Sequence, residues 1–234
     1  MKCIILAGGK GSRLSEYTYK IPKPMVKIGK KPILDHIIDY YKFYGVSDFI
    51  IAAGYKHKII KDYYSKKNNK VNIIVVNTGL ETLTGKRIKK LENFFKPNED
   101  FFLTYGDGLS NVNLKKILKL HVKKKALLTL TAVHPPARFG ELIVKHSSLL
   151  SFKEKPQLID GWINGGFFVI NSSFFKILTQ KNAMLEREPI QKVVKINKAA
   201  AYEHKGFWYC MDNLRDKNVL EDLLKKKKAP WIKK

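Results

Sequence analysis

The sequence predicts an α/β fold: a Rossmann-like, mostly parallel mixed sheet with helices on both faces and a small antiparallel extension. Three observations carry this. Short apolar runs alternate with helix-period segments through the first hundred residues, which is the pattern of βα units. The first run, at residues 2–6, opens directly into a loop with Gly8, Gly9 and Gly11. Beyond residue 133 the segments become short and strand-like, with few helices between them.

Taken in order, residues 2–6 form a strand and residues 8–13 a loop, followed by a proline-flanked segment. A helix starts near Pro32 with apolar positions at Ile33, Ile37, Tyr40, Tyr41 and Tyr44, and Gly45 supplies its stop. Strands at 48–52, 71–76 and 101–104 then alternate with helices near 58–64 and 86–94. A helix at 113–124 leads into a strand at 127–133. The remaining strand-like pieces lie at 142–144, 149–153 and 163–170, and a helix at 214–226 ends the chain. No repeat or low-complexity linker divides it, so residues 1–234 read as one domain.

Composition excludes several classes of protein. A 44% hydrophobic and 12% aromatic content is enough to build a core, so the chain is not disordered. No apolar run approaches the roughly 20 residues a bilayer span needs. The N-terminal apolar run ends at once in glycines and basic residues, so a cytoplasmic protein is expected rather than a secreted one. Cys3 and Cys210 lie far apart without a C-x-x-C partner, which favours reduced, buried thiols over a disulfide or zinc.

The net charge of +25 invites a polyanion partner. Only five of the 45 basic residues are arginines, however, and the lysines are scattered in short runs, which suits a solvated surface better than a nucleic-acid groove. The six histidines show no metal-ligand spacing.

Glycines at a strand end let backbone N–H groups approach anionic oxygens. The Walker pattern is absent, and Leu14 stands where a dinucleotide fingerprint needs its last glycine. Instead Arg13 follows the glycines and Lys23 sits between Pro22 and Pro24, an arrangement suited to holding two cations near one triphosphate.

Two aspartates follow apolar strands: Asp107, between Gly106 and Gly108, and Asp212, before the last helix. A carboxylate at the C-terminal end of a parallel strand lies where α/β sheets bind ligands, and its hard oxygens suit Mg²⁺. The alternatives are a turn aspartate at 107 and a helix N-cap at 212. Gly165 and Gly166 interrupt an apolar strand, which indicates either close approach of a ligand or a bulge.

Together these segments resemble the sugar-phosphate nucleotidyltransferases, and within them the branch that joins CTP to glucose 1-phosphate. The resemblance rests on Leu-Ala-Gly-Gly-Lys-Gly-Ser-Arg-Leu, Pro-Lys-Pro-Met, Thr84-Gly85-Lys-Arg87, Thr-Tyr-Gly-Asp-Gly, Pro-Pro-Ala-Arg138-Phe-Gly140, Glu154-Lys155-Pro, Ile-Asn164-Gly165-Gly-Phe-Phe and Gly-Phe-Trp-Tyr-Cys-Met-Asp212-Asn.

It implies that residues 1–110 bind the nucleotide, through Leu6, Ala7, Gly8, Gly9, Gly11, Ser12, Arg13, Lys23, Thr84, Gly85, Arg87 and Gly106. Residues 111–234 would bind the acceptor, through Arg138, Gly140, Glu154, Lys155, Asn164, Gly165 and Glu186. Arg13, Lys23 and Asp107 would be catalytic, and Asp107 with Asp212 would hold Mg²⁺. The expected partners are small molecules and further copies of the chain, with no specific nucleic acid and no membrane. The branch usually carries an insertion where residues 64–71 form only a short linker here. A different phosphomonoester acceptor, UTP or dTTP, and a non-catalytic polyanion binder are the alternatives.

Overall fold

Strand β1 (Lys2–Ala7) is buried along nearly its whole length, as a central strand covered on both faces must be. In the computed structural model, which describes residues 1–67, 70–135, 141–153 and 161–233, it leads into a 3₁₀ turn at Ser12–Leu14 and a short α1 (Ser15–Thr18). A small ribbon, β2 (Lys27–Ile28) with β3 (Lys31–Pro32), precedes α2 (Ile33–Phe43). Gly45, with φ of 85°, follows that helix as expected.

Next come β4 (Asp48–Ala53), α3 (His57–Ser65), β5 (Asn72–Asn77), α4 (Thr84–Lys89), β6 (Asp100–Tyr105) and β7 (Gly108–Ser110). The later half adds α5 (Leu114–Lys124), β8 (Leu128–Val133), β9 (Glu141–Lys145), β10 (Ser148–Lys153) and β11 (Ile163–Asn171). The chain closes with α6 (Glu188–Lys195), β12 (Ala199–His204), β13 (Trp208–Cys210) and α7 (Leu214–Lys225).

Seven strands form one sheet in the order β12-β8-β11-β6-β1-β4-β5. All neighbours are parallel except β11, which runs antiparallel to both β6 and β8. Both halves of the chain thus share one sheet. Alternation along β1 sends Cys3, Ile5 and Ala7 to one face and Ile4 and Leu6 to the other, seeding two cores. Residues of α2, α3, α5 and α7 pack on the first face, and residues of α4 and α6 on the second. The antiparallel extension is the β9–β10 hairpin, whose turn residues His146 and Ser147 both have positive φ, as a tight two-residue turn requires.

Besides the short α1, β2, β3 and β7, two longer elements escape the sequence pattern. Strand β12 is an edge strand opening Ala-Ala-Ala, a weak β-former, and is held by its parallel pairing to β8. Helix α6 has only eight residues and only two fully buried positions, Pro189 and Val193. The expected helix at 86–94 is divided into α4, which begins earlier at Thr84, and a 3₁₀ turn at Glu92–Phe94. Among the described residues no helix is long and apolar enough to cross a membrane.

Candidate active site

The strand order reverses at β1: the chain passes from it to β4 and β5 on one side, then returns to β6 on the other. Ligands of open α/β sheets bind beyond the carboxyl ends of the strands at such a point. The glycine loop after β1 and the Gly106-Asp107 turn after β6 both lie there.

Gly11 adopts the left-handed conformation at φ of 66°, and a Cβ there would come within 2.9 Å of Cβ of Lys23, so the loop is seated against that lysine. The amides of Gly9, Lys10 and Gly11 donate to no backbone carbonyl among the described residues, which leaves them for solvent or an anion. Lys23 opens a 3₁₀ turn between its two prolines.

A four-member charged cluster fills the space beside this loop. Lys23 Nζ donates to Asp107 Oδ2 at 2.7 Å and to Asp212 Oδ1 at 3.0 Å, while an Arg13 guanidinium nitrogen donates to Asp212 Oδ2 at 2.8 Å. Asp212 arrives through a short ladder in which Cys210 of β13 faces Gly108 of β7. The N-cap alternative for Asp212 falls to its neighbour: Asn213 caps α7, and Asp216 closes the capping box by accepting from the Asn213 amide at 3.1 Å. Asp212 is thereby left free to face the cluster.

Burial alone would lower the Lys23 ammonium's pKa, but the Asp107 carboxylate and the bonds to both aspartates outweigh it and hold the pKa above its ordinary value. Burial opposes ionisation of Asp212, and Lys23 and Arg13 overcome it, leaving this carboxyl below the usual range. Cys210 is half-buried rather than buried. Burial, reinforced by Asp107, pushes its thiol well up, so it stays protonated. Side-chain atoms of Asp107, Cys210 and Asp212 lie within 4.8 Å of one another, so the acidic group could hold a metal. The two carboxylates suit a hard cation such as Mg²⁺, whereas a protonated thiol adds no hard ligand.

Two adjoining cavities meet at Arg13, Tyr105 and Asp107. The larger, about 360 Å³, is lined by Leu6, Ala7, Gly8, Gly9, Gly11, Ser12, Lys23, Thr84, Arg87 and Gly106, together with Thr82, Leu83 and Met184. The second, about 280 Å³, is lined by Asn164, Gly165, Gly166, Trp208, Cys210 and Asp212 among others.

Other expected residues sit differently. Arg87 is buried beneath Gly8, with its guanidinium donating to Ala53 O at 3.0 Å, to Thr82 O at 2.6 Å and to the Thr78 hydroxyl. Gly85 lies behind the cleft wall, where a Cβ would meet Ala183 O at 2.8 Å. The Glu186 carboxylate accepts from Thr84 Oγ1 at 2.7 Å and from the Tyr105 hydroxyl. Burial and Glu186 raise the Tyr105 pKa, keeping that hydroxyl a donor.

The glycine pair is explained within the protein. A side chain at Gly166 would strike the Tyr105 ring, one at Gly165 would meet Val133 Cγ1 at 2.7 Å, and the ladder shifts register between Asn164 and Phe168. Arg138, Gly140, Glu154 and Lys155 lie outside the described residues. Sequence reasoning missed Tyr105, Met184, Trp208 and Cys210. The period-two alternation of β13 was a usable signal for the last two, since Trp208 and Cys210 share a face.

Comparison with known proteins gives this geometry its setting. A relative in Salmonella typhimurium (strain LT2), a glucose-1-phosphate cytidylyltransferase, is 41% identical, covering 99% of this chain and 98% of its own length. The alignment runs over 253 positions against 234 residues here, so that relative carries residues this chain lacks. A D-glycero-alpha-D-manno-heptose 1-phosphate guanylyltransferase of Aneurinibacillus thermoaerophilus is 37% identical over 82% of this chain and 86% of its own. The crystal structure of HddC from Yersinia pseudotuberculosis superposes with a TM-score of 0.74 at 26% identity, over 95% of this chain and 99% of that one. The profile described as "Nucleotidyl transferase" matches residues 2–216, and the chain belongs to that family.

Proposed function

We propose that this protein transfers CMP from CTP to a sugar 1-phosphate, with glucose 1-phosphate as the leading acceptor, releasing pyrophosphate and forming a CDP-sugar. The observation that carries this reading is the meeting of two cavities at one charged cluster, with Lys23, Arg13, Asp107 and Asp212 at or beside the junction. The larger cavity suits a nucleoside triphosphate over the glycine loop. The second suits a compact phosphorylated acceptor beside Asn164 and Trp208. The 41% identity to the Salmonella enzyme supports CTP and glucose 1-phosphate as the pair.

An acceptor phosphate oxygen attacks the α-phosphorus in line, and pyrophosphate leaves. A phosphomonoester is already ionised near neutral pH, so alignment and charge neutralisation are needed rather than a strong base. Lys23, kept protonated by its two aspartates, and Arg13 exchange part of their bonding from carboxylates to phosphate oxygens. The pyrrolidine rings on either side of Lys23 limit its wandering. Asp107 and Asp212 would hold Mg²⁺, which when bound supplies Lewis-acid neutralisation of the phosphates. A cytoplasmic location and self-association belong to the same reading.

The test is pyrophosphate release with Mg²⁺ across CTP, UTP, dTTP, ATP and GTP, against sugar 1-phosphates and other small phosphomonoesters. Turnover selective for CTP and glucose 1-phosphate is expected, and Asp107→Asn should abolish it with the fold intact. Normal turnover by that variant would overturn the assignment of Asp107. The heptose 1-phosphate guanylyltransferase relative favours a second reading, with another base or acceptor, and the same panel separates the two.

A further inference from the structure

The loops facing each other across the nucleotide cleft are joined at its rim. Lys10, at the tip of the glycine loop, forms an ion pair with Glu81 of the opposite loop at 2.8 Å, with side-chain exposures of 59% and 75%. Directly inward, the same two loops line the cleft, Gly9, Gly11 and Ser12 on one side and Thr82, Leu83 and Thr84 on the other.

The two partners differ in how firmly they are held. The Glu81 loop is fixed from behind: Asn182 donates to Glu81 O at 2.9 Å and accepts from the Leu83 amide at 2.8 Å. Among the described residues the Lys10 loop is tied only at its ends, where Gly8 O accepts from the Tyr55 amide at 3.1 Å and Gly11 O from the Thr18 hydroxyl at 3.0 Å. A side chain at Gly9 would meet nothing within 4 Å, so the space beside the Lys10 side chain is open. An exposed pair of this kind contributes at most about a factor of five to an equilibrium constant, so an incoming polyanion can displace it at small cost.

We propose that Lys10 and Glu81 form a displaceable clasp over the cleft, with the Lys10 ammonium passing from the Glu81 carboxylate to the outer phosphates of a bound nucleoside triphosphate. The inference rests on the nucleotide-cleft reading above. In the closed clasp Glu81 neutralises a cation the triphosphate needs and adds a like charge at the entrance. Removing Glu81 therefore frees Lys10 and strengthens triphosphate binding, while removing Lys10 weakens it. A nucleoside monophosphate lacks the outer phosphates and should be indifferent to both changes.

The test is calorimetric titration of the full chain with CTP and with CMP, at low and at physiological salt, comparing wild type, Glu81→Gln, Lys10→Met and the double variant. Glu81→Gln should tighten CTP binding by about threefold and Lys10→Met should loosen it by about fivefold, each effect shrinking at higher salt. In the Lys10→Met background, Glu81→Gln should lose most of its effect. Equal changes for CTP and CMP, or weaker CTP binding by Glu81→Gln, would overturn the clasp. Wild type that binds CTP with both substitutions silent refutes the clasp and leaves the cleft reading standing. Wild type that binds none of CTP, UTP, dTTP, ATP or GTP refutes both.

Discussion

Placing a methyl group on Gly8 is a direct test of what that glycine does. A Cβ built there falls on the Arg87 guanidinium, far closer than the 3.0 Å that real Cβ contacts respect. Flexible side-chain ends usually move aside cheaply, but this one is 4% exposed and pinned by bonds to Ala53 O, Thr82 O and the Thr78 hydroxyl. Displacing it costs hydrogen bonds from a charged donor, about 1.5–3 kcal/mol each, and strands a buried cation. Ala53 O keeps the Thr78 amide and hydroxyl as donors, so the loss concentrates on Thr82 O. Gly8→Ala should therefore destabilise by about 3 kcal/mol, read as a lower urea midpoint at unchanged slope. In an Arg87→Met background, where a flexible thioether replaces the fork, the same change should cost less than about 1 kcal/mol. Equal costs in both backgrounds would refute the overlap and return Gly8 to a purely phosphate-facing role.

Two further outcomes are expected. Burial lowers the pKa of His36, His121 and His204, so the unfolded chain binds more protons in acid than the native one does. Their stability contribution is full above the unfolded histidine pKa, about 6.5, and is lost as pH falls below it. Urea midpoints should thus drop steadily from pH 7 to pH 5, and His36→Asn should flatten part of that slope. Trp231 Nε1 donates to His36 Nδ1 at 3.2 Å, which requires the neutral ring. Asn213→Ala should cost about 1 kcal/mol of stability, measured by urea unfolding, and should lower turnover because the cap beside Asp212 is lost.

Much of the parallel half of the fold was legible because apolar runs and glycines there point the same way. The strand before Gly8, the Gly45 stop and the Asp107 turn all follow from local chemistry. What stayed hidden was decided at long range. Whether Asp212 caps a helix or joins a charged cluster depends on Asn213 taking the cap. Arg87 reads equally well as a phosphate ligand until burial shows its donors directed to Ala53, Thr78 and Thr82. Glu186 reads as an acceptor ligand, yet Thr84 and Tyr105 engage both its oxygens. Strand β12 has no local signal, since three alanines become a strand only when β8 offers them a ladder.

The short ladder between β7 and β13 also has a bearing on how the protein is made. It joins residues 108–110 to residues 208–210, so Asp107 emerges from the ribosome roughly a hundred residues before the aspartate it must meet. Strand β11, which separates β6 from β8, likewise arrives long after its first neighbour. Contacts of such sequence separation close late, because the loop entropy must be met first. A nascent or truncated chain can display the glycine loop, Lys23 and Asp107, yet it has no second carboxylate. On the proposed reading, catalytic competence on this scaffold waits until residue 212 has joined the cluster, and a fragment that stops short of it lacks half of the carboxylate pair.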